Sequence, residues 1–127
     1  MLFRSAKFIN VFAKNVVFDG AELFRCNFSS SLIGNSSFRG SNLSGAQLNG
    51  VKAIGADFTN AILSGTSIKG SSLQGALFAG AKLQSLKEFG GTDFSGASFL
   101  GASFENSRSE EHTSELQSPD HRMPSSA

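Results

Sequence analysis

A five-residue repeat constrains the fold of this chain more than any other feature. Between Ser41 and Ser85 the sequence reads, in successive fives, SNLSG AQLNG VKAIG ADFTN AILSG TSIKG SSLQG ALFAG AKLQS. We number the positions of each pentad from one to five. Position one is small, position three is usually large and apolar, and position five is usually Gly. The same frame runs back to Met1 and, after one extra residue, forward to Asn106.

The repeat length excludes both a helix and a flat strand. Residues five apart on an α-helix are separated by roughly 140°, so they form no apolar stripe. In a continuous strand they lie on opposite faces. A short extended step followed by a corner restores the orientation every five residues, and four corners close a square coil. Positions one and three then point inward, and position five suits a corner because it is mostly Gly, with Asn or Ser at most of the other corners.

This pattern resembles that of the pentapeptide-repeat family, summarised as A(D/N)LXX, over residues 1–106. The resemblance implies an all-β fold, a right-handed quadrilateral parallel β-helix. With four pentads per coil, residues 1–106 would form about five coils and stand roughly 25 Å tall. The family is known for gyrase-protecting quinolone-resistance proteins, for secreted bacterial effectors and for many members of unknown role. The fold therefore does not determine the function.

Residues twenty apart are expected to stack inside the coils. The predicted core columns are Phe18, Phe38, Phe58 and Phe78; Leu23, Leu43, Leu63 and Leu83; and Phe8, Phe28, Leu48 and Ile68. A fourth column, from Ala13 to Leu73, is thinner. Cys26, the one cysteine, stands at position one, so we predict a packed hydrophobe rather than a nucleophile.

Outward positions near the N-terminus are unusually apolar. The candidate contact residues there are Ile9, Phe12, Val17, Phe24 and Leu32. Two interpretations stay open: a cap or a second copy of the chain covers them, or they bind another protein. Ile54, Ile62 and Leu77 are scattered apolar residues without an assigned role.

The segment LKEFGG, residues 86–91, contains the extra residue. The two glycines after Phe89 are typical of a bulge or a small protruding turn. Because some members of the resembled family recognise targets through loops that interrupt the coil, Phe89 joins the candidate contact residues. The alternative is a bulge without function.

The sequence changes character after Asn106. Residues 107–127 contain no pentad and hold both His residues of the chain. RSEEHTSELQS and RMPSSA resemble translated sequencing-adapter sequence, so we interpret residues 108–127 as an assembly artefact. A disordered polar tail is the alternative. If the tail is an artefact, the array is expected to be a fragment of a longer bacterial protein.

The repeat region shows no catalytic or metal-binding pattern. It lacks His and Tyr and its acids are dispersed, so nucleophile–base pairs and metal ligand sets are not expected. Nine Lys and Arg against six Asp and Glu give residues 1–106 a net charge of +3, nine minus six. This balance is too weak to indicate nucleic-acid binding. No apolar run approaches the about twenty residues of a membrane helix.

These observations predict a non-enzymatic scaffold that binds an unknown protein partner, with a homodimer left open. They predict no cofactor, metal, small-molecule substrate or membrane association, and the lone cysteine fits a reducing cytoplasm. One alternative is a DNA-mimicking, gyrase-binding, quinolone-protective protein, for which an acidic surface is lacking. Another is a repeat module of a secreted effector.

Overall fold

The computed structural model describes residues 2–87 and 89–104. Over these residues the chain contains no helix, and its extended parts are single-residue parallel β-bridges separated by two-residue turns. Position two of each pentad makes the bridge, and positions four and five make the turn. The extended step is only three residues long, so no longer strand develops. The predicted tail, residues 107–127, lies outside the described residues.

From Leu2 to Lys82, each bridge within the four columns below joins two residues twenty positions apart along the chain. The bridges form four columns, Leu2–Glu22–Asn42–Ile62–Lys82, Lys7–Asn27–Gln47–Ser67, Phe12–Leu32–Lys52–Ser72 and Val17–Ser37–Asp57–Leu77. Four pentads therefore make one coil, and successive coils stack into a β-helix solenoid. We name the four sides of the solenoid the Leu2, Lys7, Phe12 and Val17 faces after the first residue of each column.

The bridge separation grows from 20 to 21 residues near the LKEFGG segment. The affected pairs are Ser72 with Asp93, Leu77 with Ser98, and Lys82 with Ser103. The Phe12, Val17 and Leu2 faces therefore continue beyond the extra residue with their register to the preceding coil adjusted by one position.

The extra residue falls between Lys87 and Phe89. The Lys87 N–H donates to the Thr66 carbonyl, as position two does elsewhere, and Phe89 is buried like other position-three residues. Of the two predicted alternatives, a bulge or a small turn, the two glycines form a turn. Gly90 and Gly91 make an ordinary two-residue corner, with a φ of 74° at Gly91.

Position-three side chains stack in columns inside the solenoid. The rings of Phe18, Phe38, Phe58 and Phe78 are nearly parallel, with centroids 5.1 to 5.2 Å apart, and Phe99 continues the column at 4.9 Å. These distances are close to the strand spacing of about 4.8 Å, so the backbone repeat itself sets the stacking distance.

All the residues of the three main predicted core columns are buried except Phe8. Phe8 is half-buried because it lies in the first described coil, where neighbours pack against it mainly from one side. Its ring still stacks on Phe28, with centroids 4.7 Å apart.

Buried hydroxyls at position one join neighbouring coils. The Ser31 hydroxyl donates to the Phe8 carbonyl and accepts from the Val11 N–H at 2.9 Å. Ser41 is equally buried, but its hydroxyl donates only to the Phe38 carbonyl, which already accepts from the backbone N–H of Ser41. Two serines at equivalent places therefore contribute differently to the hydrogen bonding of the core.

Cys26 occupies the same kind of place as these serines. Its thiol is buried and donates to the Phe3 carbonyl. Burial raises the pKa of the Cys26 thiol. A buried thiol held in its protonated form packs as a small hydrophobic side chain.

Candidate protein-interaction face

The candidate contact residues do not lie on one side of the solenoid. Ile9 belongs to the Lys7 face, Val17 to its own face and Phe24 to the Leu2 face, whereas Phe12 and Leu32 are bridge partners on the Phe12 face. Residues that are close along the chain therefore lie on four different faces.

Phe89 is not a surface residue. Its relative exposure is 4%, and it belongs to the hydrophobic core. Its predicted role as a contact residue is wrong, because the side chain that follows the extra residue turns inward and gains an apolar environment.

Phe24 is occupied by a contact within the chain. The Arg4 guanidinium lies over its ring, 5.2 Å from the centroid, and also faces the Glu22 carboxylate at 3.8 Å. Phe24 is half-buried, and with Ser5 and Arg25 these side chains line an open cleft of about 370 Å³. The positive charge of Arg4 is already partly balanced, which makes this cleft a weaker candidate for a partner.

The Phe12 face carries an open groove of about 280 Å³. One side of the groove is formed at position two by Phe12, Leu32 and Lys52. Phe12 forms a β-bridge with Leu32, and Leu32 forms one with Lys52. The other side is formed at position four of three successive coils by Lys14, Gly34 and Ile54. Gly34 lies in the middle coil, between the coils of Lys14 and Ile54. Phe12 is 72% exposed and Ile54 is 52% exposed.

Gly34 opens this groove because it has no side chain. Position four of every other pentad from Met1 to Ser85 carries one. The corner does not require this glycine, because the left-handed φ of the turn lies at the next residue, Asn35. A Cβ at Gly34 would lie 3.3 Å from the Ile54 carbonyl oxygen and 3.9 Å from Cε of Lys14. A side chain there would fill the floor of the groove.

The groove is flanked by positive charge. Lys14 and Lys52 are both exposed, and within residues 2–87 and 89–104 neither lies within 4.0 Å of a carboxylate. The acid on the described part of this face is Asp93, which bridges to Ser72 beyond Lys52. The first three coils of the Phe12 face therefore present an apolar strip between two lysines.

Several outward Asn and Asp side chains stabilise the corners by accepting hydrogen bonds from the backbone. At position two, Asn27, Asn42, Asp57 and Asp93 each accept the N–H of the residue two places on. Burial alone would raise the pKa of Asp57, but hydrogen bonds from Thr59 and the Arg39 guanidinium lower it on balance. The hydroxyl and N–H of Ser95 lower the pKa of Asp93.

The described residues contain no group of three or more His, Cys, Asp and Glu that could hold a metal ion. Among the same residues, no helix is long and apolar enough to span a membrane.

Sequence reasoning missed Ile54, Lys14, Lys52 and Gly34 as parts of one surface. In the linear sequence Ile54 is a scattered apolar residue, because it is 42 positions from Phe12 along the chain. A signal was present: in a twenty-residue coil, positions two and four of pentads 11–15, 31–35 and 51–55 must share a face. Considering both positions together would have found the strip.

Residues 26–65 and 41–80 match the family model for pentapeptide repeats, with eight copies of the repeat. No match is found among curated proteins. The fold is similar to that of HetL, a pentapeptide-repeat protein involved in heterocyst differentiation regulation in the cyanobacterium Nostoc. The TM-score is 0.73 at 24% identity, over 78% of this chain and 47% of HetL, so the chain spans about half of the HetL length.

Two other solved structures have the same architecture. A pentapeptide-repeat protein of the Arabidopsis thaliana thylakoid lumen aligns with a TM-score of 0.60 and 23% identity, over 90% of this chain and 72% of that one. One from the cyanobacterium Cyanothece aligns with a TM-score of 0.53 and 15% identity, over 82% and 91%. At these identities the likeness concerns the fold alone. The family match, the five-residue register and these neighbours agree: the repeat array of this chain belongs to the pentapeptide-repeat family.

Proposed function

We propose that this chain is a non-enzymatic scaffold whose outward side chains bind a protein partner. The observation that carries the proposal is the groove on the Phe12 face, where Phe12 and Ile54 are exposed beside Leu32. Exposed apolar strips rimmed by polar residues are typical of interaction sites on soluble proteins.

The interior of the solenoid supports this function. Stacked rings and backbone hydrogen bonds between coils hold the outward side chains in rows about 4.8 Å apart. A partner that meets such a surface encounters side chains already in place, and the cost of ordering the scaffold on binding is small. We further propose that the solenoid is right-handed and has about five coils, in keeping with bridges that extend from Leu2 to Ser103.

A phage-displayed library of bacterial protein fragments, selected against the full chain, tests the scaffold function. Each recovered fragment is titrated by calorimetry against the wild-type chain and against four variants. Each variant carries two polar substitutions at position two of one face, for example Phe12→Ser with Leu32→Ser on the Phe12 face. These outward positions are chosen so that the variants keep the core intact, which circular dichroism verifies.

We expect at least one fragment to bind with one-to-one stoichiometry and to lose affinity for the variant of a single face. If no fragment binds, or if every fragment binds all four variants equally, the chain is not a scaffold that works through its faces.

A further inference from the structure

We propose that the groove on the Phe12 face is a docking site for an acidic segment of a partner protein. One apolar side chain of that segment would sit against Phe12, Leu32 and Ile54, and its flanking carboxylates would pair with Lys14 and Lys52. This inference rests on the proposed scaffold function and deepens it, because it names the site and the chemistry of the partner.

The size of the groove favours a single side chain as its occupant. Its volume of about 280 Å³ lies just below the range of about 300 to 1,000 Å³ that is usual for sites enclosing a small molecule. The groove is also open along the solenoid axis, because Gly34 places no side chain between Lys14 and Ile54. An extended segment can therefore lie across the face and insert one residue.

The positive charges of Lys14 and Lys52 beside the groove favour an acidic segment. Lys14 is at position four of the first coil and Lys52 at position two of the third, so the two lysines start from diagonally opposite places on the face. The Lys14 side chain reaches toward the second coil, where its Cε would lie 3.9 Å from a Cβ at Gly34. The arginines Arg4 and Arg39, on other faces, have the acidic partners Glu22 and Asp57. In the described part of the chain, no carboxylate lies within ion-pair distance of either groove lysine.

The acid on this face is too far away and otherwise engaged. Asp93 lies two bridges beyond Lys52, about 10 Å along the axis at the usual strand spacing. Its carboxylate accepts hydrogen bonds from Gln74 and from Ser95. Within residues 2–87 and 89–104, no carboxylate supplies the complementary negative charge for Lys14 and Lys52. We therefore assign it to a partner, since such complementarity directs both partner choice and association rate.

A second copy of the chain and a nucleic acid fit this groove less well. In a two-fold dimer the same patch meets itself, so a dimer through this face would bring Lys14 and Lys52 of both copies together. A nucleic acid is bound by cations that follow its backbone, whereas an apolar floor separates these two lysines. An acidic peptide satisfies both the apolar and the charged part of the site.

Nuclear magnetic resonance titration of the ¹⁵N-labelled full chain tests this site. The probe is a nine-residue peptide with a central Leu, two Glu on each side and Ser elsewhere. Two control peptides replace the four Glu by Lys, or the central Leu by Ser. We expect saturable shifts of the backbone amides of Phe12, Leu32, Gly34 and Ile54 with the probe, and weaker binding with either control.

The matched variants separate the groove lysines from general charge. Lys14→Glu with Lys52→Glu is expected to weaken binding about tenfold, since each exposed ion pair contributes a factor of about two to five and reversal adds repulsion. Lys82→Glu, at an exposed position two on the Leu2 face, is expected to leave the affinity within about twofold. The amide spectra of the variants without peptide verify that the fold is intact.

Several results would overturn the docking site. One is binding of the Lys-substituted peptide as tightly as the probe; another is equal loss of affinity in Lys82→Glu. Shifts confined to another face, or binding of anionic phosphatidylglycerol vesicles without binding of the probe, would also refute it. If selected fragments bind a different face, the scaffold function stands and only the groove assignment fails.

Discussion

Replacement of Phe58 by Ala removes a ring from the middle of the aromatic column. Phe58 is fully buried, and its ring lies between those of Phe38 and Phe78, with both centroid distances 5.1 Å. Truncation of a buried Phe costs about 3 to 5 kcal/mol, because apolar burial is lost and a cavity remains. The upper part of this range is expected here, since two stacking contacts disappear together.

The loss is large enough for urea unfolding to measure. With a slope of about 2 kcal/mol per molar, a loss of about 3 to 5 kcal/mol lowers the midpoint by about 1.5 to 2.5 M. Far-ultraviolet circular dichroism is the appropriate probe, because the chain contains no Trp and no Tyr for intrinsic fluorescence. An unchanged slope would show that the variant unfolds from a native state of similar compactness.

Asn49→Ala is the comparison that tests the register. The Asn49 Oδ1 accepts from the Ser67 hydroxyl at 2.6 Å and from the Lys69 N–H at 2.9 Å, at a half-exposed site on the outside of the coil. Loss of these two bonds should cost about 1 to 2 kcal/mol. If the two substitutions lowered the midpoint equally, position three would not be the interior position and the stacking argument would be refuted.

Three further predictions test the interior, the corners and the surface. Ser31→Ala should lower the free energy of unfolding by about 1 to 3 kcal/mol, because it leaves the Val11 N–H and the Phe8 carbonyl, both at half-buried residues, without their partner. Ser41→Ala should cost less, and urea unfolding compares the two. Gly40 has a φ of 65° and no atom within 4 Å of an added Cβ. Gly40→Val should therefore cost about 1 to 2 kcal/mol through the backbone alone and Gly40→Asn less; equal melting temperatures would contradict this. Ser95 holds the pKa of Asp93 below its ordinary value. The ionised Asp93 carboxylate therefore stabilises the folded state fully above its unfolded pKa of about 4. This contribution disappears as the pH falls through the lower pKa of Asp93 in the folded state. An ordinary Asp93 pKa in a carbon-13 NMR titration would disprove this.

The sequence predicted the core well because the repeat is local and strict. A period of five leaves positions one and three as the pair that can face inward together, and four corners restore the direction of the chain. Counting pentads is therefore enough to assign Phe18 and Phe38 to one column, and their centroids lie 5.2 Å apart. Phe8 and, in the thinner fourth column, Ala13 depart, since both lie in the first described coil and are half-buried.

The extra residue could not be placed by counting. A strict count of five puts Glu88 at position three of its pentad, and Phe89 then falls outside the core. In the fold, Phe89 takes the interior place. Burial of a Phe side chain gains about 1.5 to 3 kcal/mol, whereas burial of an unpaired carboxylate is costly. The interior place of Phe89 is decided by packing, and counting of the repeat does not predict it.

The sequence by itself determined the coil, its twenty-residue register and the inward-facing residues, because these follow from backbone geometry repeated every five residues. Only the tertiary structure decided how the outward side chains of one face shape a groove. Ile9 and Phe12 are close in sequence but belong to different faces, whereas Phe12 and Ile54 are far apart and line one groove. Contacts between coils depend on side chains that the pentad leaves free to vary. The missing side chain at Gly34 therefore opens a groove only because the coils before and after it supply the other lining residues.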